Sequence, residues 1–293
     1  MTENTVDAFS LPVLERLSSS LTLRRLADLP VVVVEHPEAR AALTLQGAQL
    51  IAWQPAGEQP VLWLSGASAF HAGKAVRGGV PICWPWFGPV SSPSHGFARI
   101  TTWTLDAHEE TAEAVHLTLT LRSDDRTREL WPHDFTLTAR FALGRKCEIT
   151  LTAEGDHTST AALHSYFRVG AAGQVSVSGL GDHYIDKVRD GAEGVQRGDL
   201  TFPGHVDRIY TRPQDVALVR DPVLGRTIGV RHHDASDAVA WNPGAKLSAE
   251  MADVPDDGHT GFVCVETARI TRPLTTTENT PTTFGVTLSL DHP

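Results

Sequence analysis

The amino-acid sequence predicts an all-β fold, and three observations support this prediction. Apolar and polar side chains alternate over several short runs, β-branched residues are frequent in those runs, and the 293 residues include 24 glycines and 18 prolines. Alternation directs every second side chain to one face of a strand, whereas glycine and proline favour turns. Many short strands without intervening helical patterns indicate a sandwich or a barrel.

Four segments carry the strictest alternation: residues 116–122 (HLTLTLR), 136–142 (TLTARFA), 148–153 (EITLTA) and 286–290 (VTLSL). In each of them, apolar residues occupy every second position, so one face is expected in a core and the other in solvent. The clearest helical pattern covers residues 12–26, for which we predict a short amphipathic helix.

The chain is predicted to form one large domain over residues 22–293, preceded by an N-terminal extension over residues 1–21. The prediction rests on the lack of a proline- or serine-rich linker in the sequence. The charged segment 123–134 (SDDRTRELWPHD) is expected to be a surface loop.

Composition argues against several classes of protein. Lys and Arg number 25 against 35 Asp and Glu, a net charge of −10 that disfavours a nucleic-acid partner. The longest aliphatic run, residues 31–34, is far shorter than the ~20 residues that cross a bilayer, so no membrane partner is expected. Residues 1–10 lack the pattern of a secretory signal. The three cysteines have no C-x-x-C spacing and are expected to be buried thiols of a cytoplasmic protein: Cys83, Cys147 and Cys264.

Four segments interrupt the strand pattern with glycine, proline, aromatic and ionisable residues. They are residues 74–89 (KAVRGGVPICWPWFGP), 94–99 (SHGFAR), 162–170 (ALHSYFRVG) and 263–268 (VCVETA). Taken singly, a histidine or glutamate in a strand is more often a core or surface residue than a catalytic group. Phosphate-loop, serine-hydrolase and zinc-protease motifs do not occur in the sequence. The residues alone therefore do not name a reaction.

The sequence resembles the hexose-6-phosphate mutarotase family, a branch of the aldose 1-epimerase superfamily. The resemblance is carried by RGGVPICWPWFGP, PSHGFAR, ALHSYFRVG, DRIYT, WNPG and FVCVETA, in this order, and extends over residues 43–290. It implies a large twisted antiparallel β-sandwich, in agreement with the periodicity. It also implies an enzyme that interconverts the α and β anomers of hexose 6-phosphates, most of all D-glucose 6-phosphate.

The resemblance assigns roles to individual residues. His164 and Glu266 match the catalytic pair, and Asp207 matches an aspartate that holds sugar hydroxyls. Arg77 and Arg99 match substrate contacts and are expected to bind the phosphate, because guanidinium groups pair well with phosphate oxygens. Two further substrate contacts are expected beside Arg99: Ser94, where some relatives have a glutamine, and His95.

Other residues of these segments keep two interpretations. Arg168 and Lys74 either supplement phosphate binding or face solvent. The aromatic cluster of Trp84, Trp86 and Phe87 either packs on the pyranose or braces the arginine loops.

Opening a pyranose ring takes a proton from the C1 hydroxyl and delivers one to O5. Glu266 suits the base, and His164 suits the acid if Asp207 favours its imidazolium form. Neither a metal nor a cofactor is expected, and we expect a monomer. Two alternatives stay open: an epimerase for unphosphorylated aldoses and a non-catalytic carbohydrate-binding sandwich.

Overall fold

Antiparallel strands dominate the computed structural model, which describes residues 6–292. In chain order the strands are β1 (Val13–Arg16), β2 (Leu21–Leu26), β3 (Leu29–His36), β4 (Ala39–Thr44), β5 (Gln49–Pro55), β6 (Ile82–Cys83), β7 (Thr104–Glu110), β8 (Ala114–Arg122), β9 (Thr136–Gly144), β10 (Cys147–Glu154), β11 (His157–Leu163), β12 (Tyr166–Arg168), β13 (Ser176–Ser178), β14 (His183–Asp186), β15 (Ala192–Val195), β16 (Leu200–Thr201), β17 (Val206–Tyr210), β18 (Val216–Asp221), β19 (Arg226–His233), β20 (Asp237–Asn242), β21 (Phe262–Thr276) and β22 (Thr282–Asp291). The α-helices are α1 (Asp125–Leu130) and α2 (Gly244–Glu250). Short 3-10 helices span Ala8–Ser10, Ala98–Ile100, Ala172–Gln174, Lys187–Arg189 and Gly258–Thr260.

The strands form three sheets. The first has the order β1-β2-β3-β4-β5, and the second has the order β16-β13-β18-β19-β22-β10-β9-β8-β7. The third has the order β15-β14-β17-β20-β21-β11-β6, with β12 also paired to β21. One apolar core takes side chains from all three sheets, for example Val32 of β3, Leu151 of β10 and Val265 of β21. The predicted all-β sandwich is confirmed.

The four alternating segments are strands β8, β9, β10 and β22, as predicted. The helix predicted for residues 12–26 is wrong, because β1 pairs with β2 and β2 pairs in register with β3. Pairing satisfies the backbone of β2 and buries Leu21. The predicted surface loop 123–134 contains helix α1, whose first turn is capped by the Asp124 carboxylate.

The expectation for the cysteines is met. All three cysteines are buried free thiols. Among the helices of residues 6–292, none is long and apolar enough to cross a membrane. The boundary between an extension and a domain at residues 21 and 22 stays a prediction.

Candidate active site

His164 lies in a two-residue break between β11 and β12. The backbone N–H of His164 donates to the carbonyl of Pro81, and that of Tyr166 donates to the carbonyl of Gly79, at 3.0 and 2.9 Å. Gly79 has φ +63°, and a Cβ there would stand 2.1 Å from a backbone oxygen of Leu50, so this close approach requires glycine. His164 and Ser165 therefore belong to neither strand, and these hydrogen bonds hold the backbone on both sides of the break.

Glu266 lies near the middle of β21, on the face of the sheet opposite the main core. Val263 and Val265 point into that core, whereas Cys264 packs on the other face, so side chains alternate between the two faces along this part of β21. The Glu266 side chain is almost completely buried, and its Oε1 lies 3.3 Å from Nε2 of His164. The structure thus brings the two predicted catalytic side chains into direct contact.

Both side chains of this pair keep a buried polar atom without a hydrogen-bond partner among the described residues. The atoms are Nδ1 of His164 and Oε2 of Glu266. Buried polar atoms are nearly always paired in folded proteins, and unpaired ones concentrate where a ligand or a reaction uses them. The pair therefore has unused hydrogen-bonding capacity.

Burial controls the protonation of the pair. It lowers the pKa of His164 well below its usual value, and the nearby His95, Arg77 and Arg99 lower it further. Burial also raises the pKa of Glu266 well above its usual value. The two directions together favour one proton on the pair over a wide pH range, because neither a second proton nor the loss of the first is easily accommodated.

The expected effect of Asp207 on the protonation of His164 is not seen, whereas its contact with sugar hydroxyls stays a prediction. We expected its carboxylate to favour the imidazolium form of His164, but the surroundings of His164 lower its pKa. The charge of Asp207 instead raises the pKa of Glu266, which Lys187 and Arg99 oppose. The imidazolium form is not favoured, because burial lowers the pKa of His164 most strongly and the neighbouring His95, Arg77 and Arg99 lower it further.

Tyr166 and Arg77 form one wall of the site. The Tyr166 ring stacks on the His164 imidazole with centroids 4.7 Å apart and an interplanar angle of 9°. Arg77 donates from Nη1 to the Tyr166 hydroxyl at 3.0 Å and from Nε to Oδ2 of Asp253 at 3.0 Å, and its Nη2 forms an ion pair with the same oxygen at 2.9 Å. Burial disfavours the charged form of Arg77 and lowers its pKa. Tyr166 and Asp253 together outweigh this effect, so the pKa of Arg77 is raised.

Arg99 and Ser94 belong to one loop beside the site. Arg99 NH2 donates to the backbone carbonyl of Ser94 at 2.8 Å, while the Nε of Arg99 is buried without a partner among residues 6–292. Ser94 is exposed, and its carbonyl, not its hydroxyl, makes this contact. The structure therefore places Ser94 at the margin of the site.

His95 belongs to the same loop as Ser94 and Arg99, and its ring faces His164. Its ring meets Phe87 edge-on at 4.9 Å and His164 at 5.8 Å between centroids. Burial lowers the pKa of His95 to about 3, and the charges of Arg99, Lys187 and Arg77 contribute. A neutral imidazole is thus held within a group of cations, which is a suitable environment for an anion.

Asp207 lies on β17, two strands away from Glu266. The register Asp207↔Trp241↔Cys264 puts it on the same face of the sheet as the catalytic pair. Its Oδ2 is 3.9 Å from Nζ of Lys187. Burial raises the pKa of Asp207, and Lys187 is the largest influence that lowers it.

The three residues of the aromatic cluster, Trp84, Trp86 and Phe87, make different contacts. Trp84 is fully buried and packs edge-on against Phe97 and Phe135, so it braces the loop from the core side. Trp86 donates from Nε1 to the carbonyl of Pro93 within the same loop. Phe87 instead faces His95.

Arg168 and Lys74 are placed apart from the catalytic pair. Arg168 lines a cavity of about 780 Å³ with Arg40 and Trp63, and the walls of that cavity include neither His164 nor Glu266. Lys74 is exposed on the loop before Arg77. A phosphate contact by either residue stays a prediction.

Four residues of the site were missed from the sequence: Tyr166, Lys187, Trp241 and Asp253. Tyr166 and Trp241 do stand in segments that carried the family resemblance, ALHSYFRVG and WNPG. Lys187 and Asp253 lie in segments with no distinctive pattern, and only the fold brings them to the site. No group of three or more His, Cys, Asp and Glu within residues 6–292 is arranged to hold a metal ion.

Comparisons with known proteins cover almost the whole chain. A family model described as aldose 1-epimerase matches residues 30–288. Relatives from Salmonella typhimurium and Escherichia coli, both named "Putative glucose-6-phosphate 1-epimerase", are each 52% identical to this chain. The alignments cover 96% of this chain and 97% of the first relative, and 89% and 90% for the second. The crystal structure of "a putative mutarotase (YeaD)" from Salmonella typhimurium has a TM-score of 0.95 and 51% identity, over 97% of this chain and 98% of that one.

Proposed function

The chain belongs to the aldose 1-epimerase family, and from this premise we propose that it interconverts the α and β anomers of hexose 6-phosphates, with D-glucose 6-phosphate as the preferred substrate. The observation that carries the proposal is the buried contact of His164 with Glu266, at 3.3 Å. The names of the two relatives agree with a phosphorylated glucose.

The reaction needs an acid and a base at two oxygens attached to the same carbon. O1 and O5 of a pyranose are both bonded to C1, so two groups in contact with each other can each reach one of them. The pKa shifts favour the single proton of the pair on Glu266, so it first passes to His164 across their 3.3 Å contact. Glu266 then takes the proton of the C1 hydroxyl while His164 delivers its proton to O5, and the C1–O5 bond breaks to give the aldehyde. Rotation about C1–C2 presents the other face, and closure returns both protons.

The protonation of the pair suits this cycle. Each half of the reaction moves one proton onto the pair and one proton off it, so the total on His164 and Glu266 does not change. Their pKa values are shifted in the directions that keep a single proton on the pair. The residues therefore finish each turnover in the state in which they began.

The arginines account for the phosphate. The net charge of −10 repels a sugar phosphate at long range, so binding requires local positive charge. Arg77 and Arg99 supply it next to neutral His95. Two hydrogen bonds and an ion pair with Asp253 hold the Arg77 guanidinium, and because the group has five N–H donors, others remain for a ligand.

We also propose that the protein works in the cytoplasm, in keeping with its three unpaired buried cysteines. The expected monomeric state, the lack of a cofactor and the substrate contacts of Ser94 and His95 stand as further parts of the proposal.

Anomer exchange measured by NMR at equilibrium tests the function. Purified protein is added to glucose 6-phosphate and, separately, to glucose, and exchange between the C1 protons of the two anomers is measured. We expect faster exchange with both sugars and a clearly higher kcat/KM for the phosphorylated one. A preference for glucose would favour the unphosphorylated-aldose alternative, and no acceleration with either sugar would favour a carbohydrate-binding protein.

A further inference from the structure

Lys187 is a charged residue of the site that neither the sequence nor the family comparisons assigned. It begins the 3-10 helix Lys187–Arg189, directly after strand β14. The carboxylate of Asp186 caps this helix by accepting from the backbone N–H of Val188 at 3.0 Å, and it also pairs with Arg208 at 3.5 Å. The start of the helix is therefore held firmly, and Lys187 with it.

The ammonium group of Lys187 is directed at the site. Nζ lies 3.9 Å from Oδ2 of Asp207 and 5.7 Å from the centroid of the Phe87 ring. It also lies against Gly88, where a Cβ would be 3.7 Å from Nζ. The Lys187 side chain is about one-third exposed, at 31%, and that of Asp207 is 23% exposed. An ion pair at this distance leaves room for a hydroxyl group to contact both charges.

The connectivity of the sugar decides which part of the substrate this pair meets. With O5 at His164, the phosphate on C6 lies on the side of O5, since C6 is attached to C5. C2 is the ring neighbour of C1 on the side opposite O5. With O1 at Glu266, the hydroxyls on C2 and C3 therefore lie on the side of Glu266. Asp207 and Lys187 act on Glu266 more strongly than any other charged side chain. Asp207 also lies on the face of the sheet that carries Glu266, and Nζ of Lys187 is 3.9 Å from its carboxylate. We therefore assign this pair to the hydroxyl side of the ring.

We propose that Lys187 is a positioning residue that holds the Asp207 carboxylate against the hydroxyl groups on the C2 side of the bound sugar. The inference rests on the proposed function and adds a residue to it. Without the ammonium group, Asp207 would be a half-buried carboxylate whose pKa is raised by burial and by the charge of Asp186, and the largest influence that lowers this pKa would be lost. Burial raises the pKa of Asp207, whereas Lys187 lowers it. This direction agrees with a role of Lys187 in favouring the ionised carboxylate.

A double-mutant cycle on substrate affinity tests the inference. Lys187→Met, Asp207→Asn and the double variant are compared with the natural protein by calorimetric titration with glucose 6-phosphate and with inorganic phosphate. We expect Lys187→Met to weaken glucose 6-phosphate binding about tenfold, within the range for charged neighbours in contact. In the Asp207→Asn background the same substitution should have almost no effect. Binding of inorganic phosphate should not change.

Two further variants make the result specific. Arg189→Met removes a positive charge from the same 3-10 helix at an exposed position and should bind like the natural protein. Lys187→Arg keeps the charge and should restore most of the affinity.

Three results would overturn the inference: unchanged affinity in Lys187→Met, an equal loss in both backgrounds, or a matching loss of inorganic phosphate binding, which would make Lys187 a phosphate contact. Failure of the proposed function is a different result, because the natural protein would then accelerate no anomer exchange.

Discussion

The ring of Tyr166 lies nearly parallel to the imidazole of His164, with 4.7 Å between centroids. The hydroxyl of the same tyrosine accepts a hydrogen bond from Arg77 at 3.0 Å. One side chain therefore orients the proposed acid through its ring and a proposed phosphate ligand through its oxygen. Because these contacts involve different atoms, substitution can separate them.

Tyr166→Phe keeps the stacked ring and removes the hydroxyl. We expect KM for glucose 6-phosphate to rise about two- to tenfold, the effect of losing one hydrogen bond, with kcat almost unchanged. Tyr166→Leu should lower kcat as well, because the imidazole loses its stacking partner. Steady-state anomer exchange measures both constants. A fall in kcat with unchanged KM in Tyr166→Phe would show that the hydroxyl does not serve substrate binding.

Arg99→Met tests the assignment of the phosphate. Its guanidinium is expected to make charge-assisted bonds to the phosphate, so kcat/KM for glucose 6-phosphate should fall about 10- to 100-fold. The value for glucose should change little. Arg140→Met, at an exposed position of β9, removes one positive charge elsewhere and serves as the control. Equal losses for both sugars would contradict a phosphate contact by Arg99.

Glu266→Gln should stabilise the protein at neutral pH while it abolishes activity. The folded state raises the pKa of Glu266, whereas the unfolded chain ionises it near about 4.3. From that pH upward, as far as the raised pKa, unfolding releases a proton and the folded state loses stability. A glutamine has no proton to release and can keep a hydrogen bond to His164.

Urea unfolding at two pH values measures this effect. The variant should match the natural protein near pH 4.5 and exceed it by about 1 to 3 kcal/mol near pH 7.5, roughly 2 °C in Tm for each kcal/mol. A variant that is less stable at pH 7.5, or a difference independent of pH, would mean that the carboxylate is ionised and satisfied in the fold.

Alternation predicts the strands of the second sheet because their apolar faces all pack on one core. Strand β2 of the first sheet does not follow this simple pattern: Arg24 is buried within it, yet its guanidinium pairs with Glu35 of β3 and bonds to a backbone carbonyl of Phe9. In the sequence pattern, an arginine is read as a solvent-facing position, as on the polar face of a helix, unless the partners that allow its burial are known. The pattern alone therefore could not distinguish strands β1 and β2 from a helix.

The family resemblance proposed His164, Glu266, Arg77 and Arg99, because each lies in a segment with a distinctive motif. The structure places His164 and Glu266 in contact, but the roles of all four residues stay predictions. Asp253 could not be proposed in this way, because its role is defined by a contact with Arg77, 176 positions away in the chain. The direction of the His164 pKa was also inaccessible, since it depends on burial and on cations from other loops.

The proposed mechanism requires His164 and Glu266 to act as one unit on one sugar. Anomer exchange is measured by NMR on glucose 6-phosphate for His164→Ala, Glu266→Gln and the double variant, each confirmed as folded by circular dichroism. We predict that each single substitution lowers kcat at least ~100-fold. The kcat of the double variant should be no more than about threefold below that of the less active single variant. Substantial activity in either single variant, or losses that multiply in the double variant, would contradict the claim.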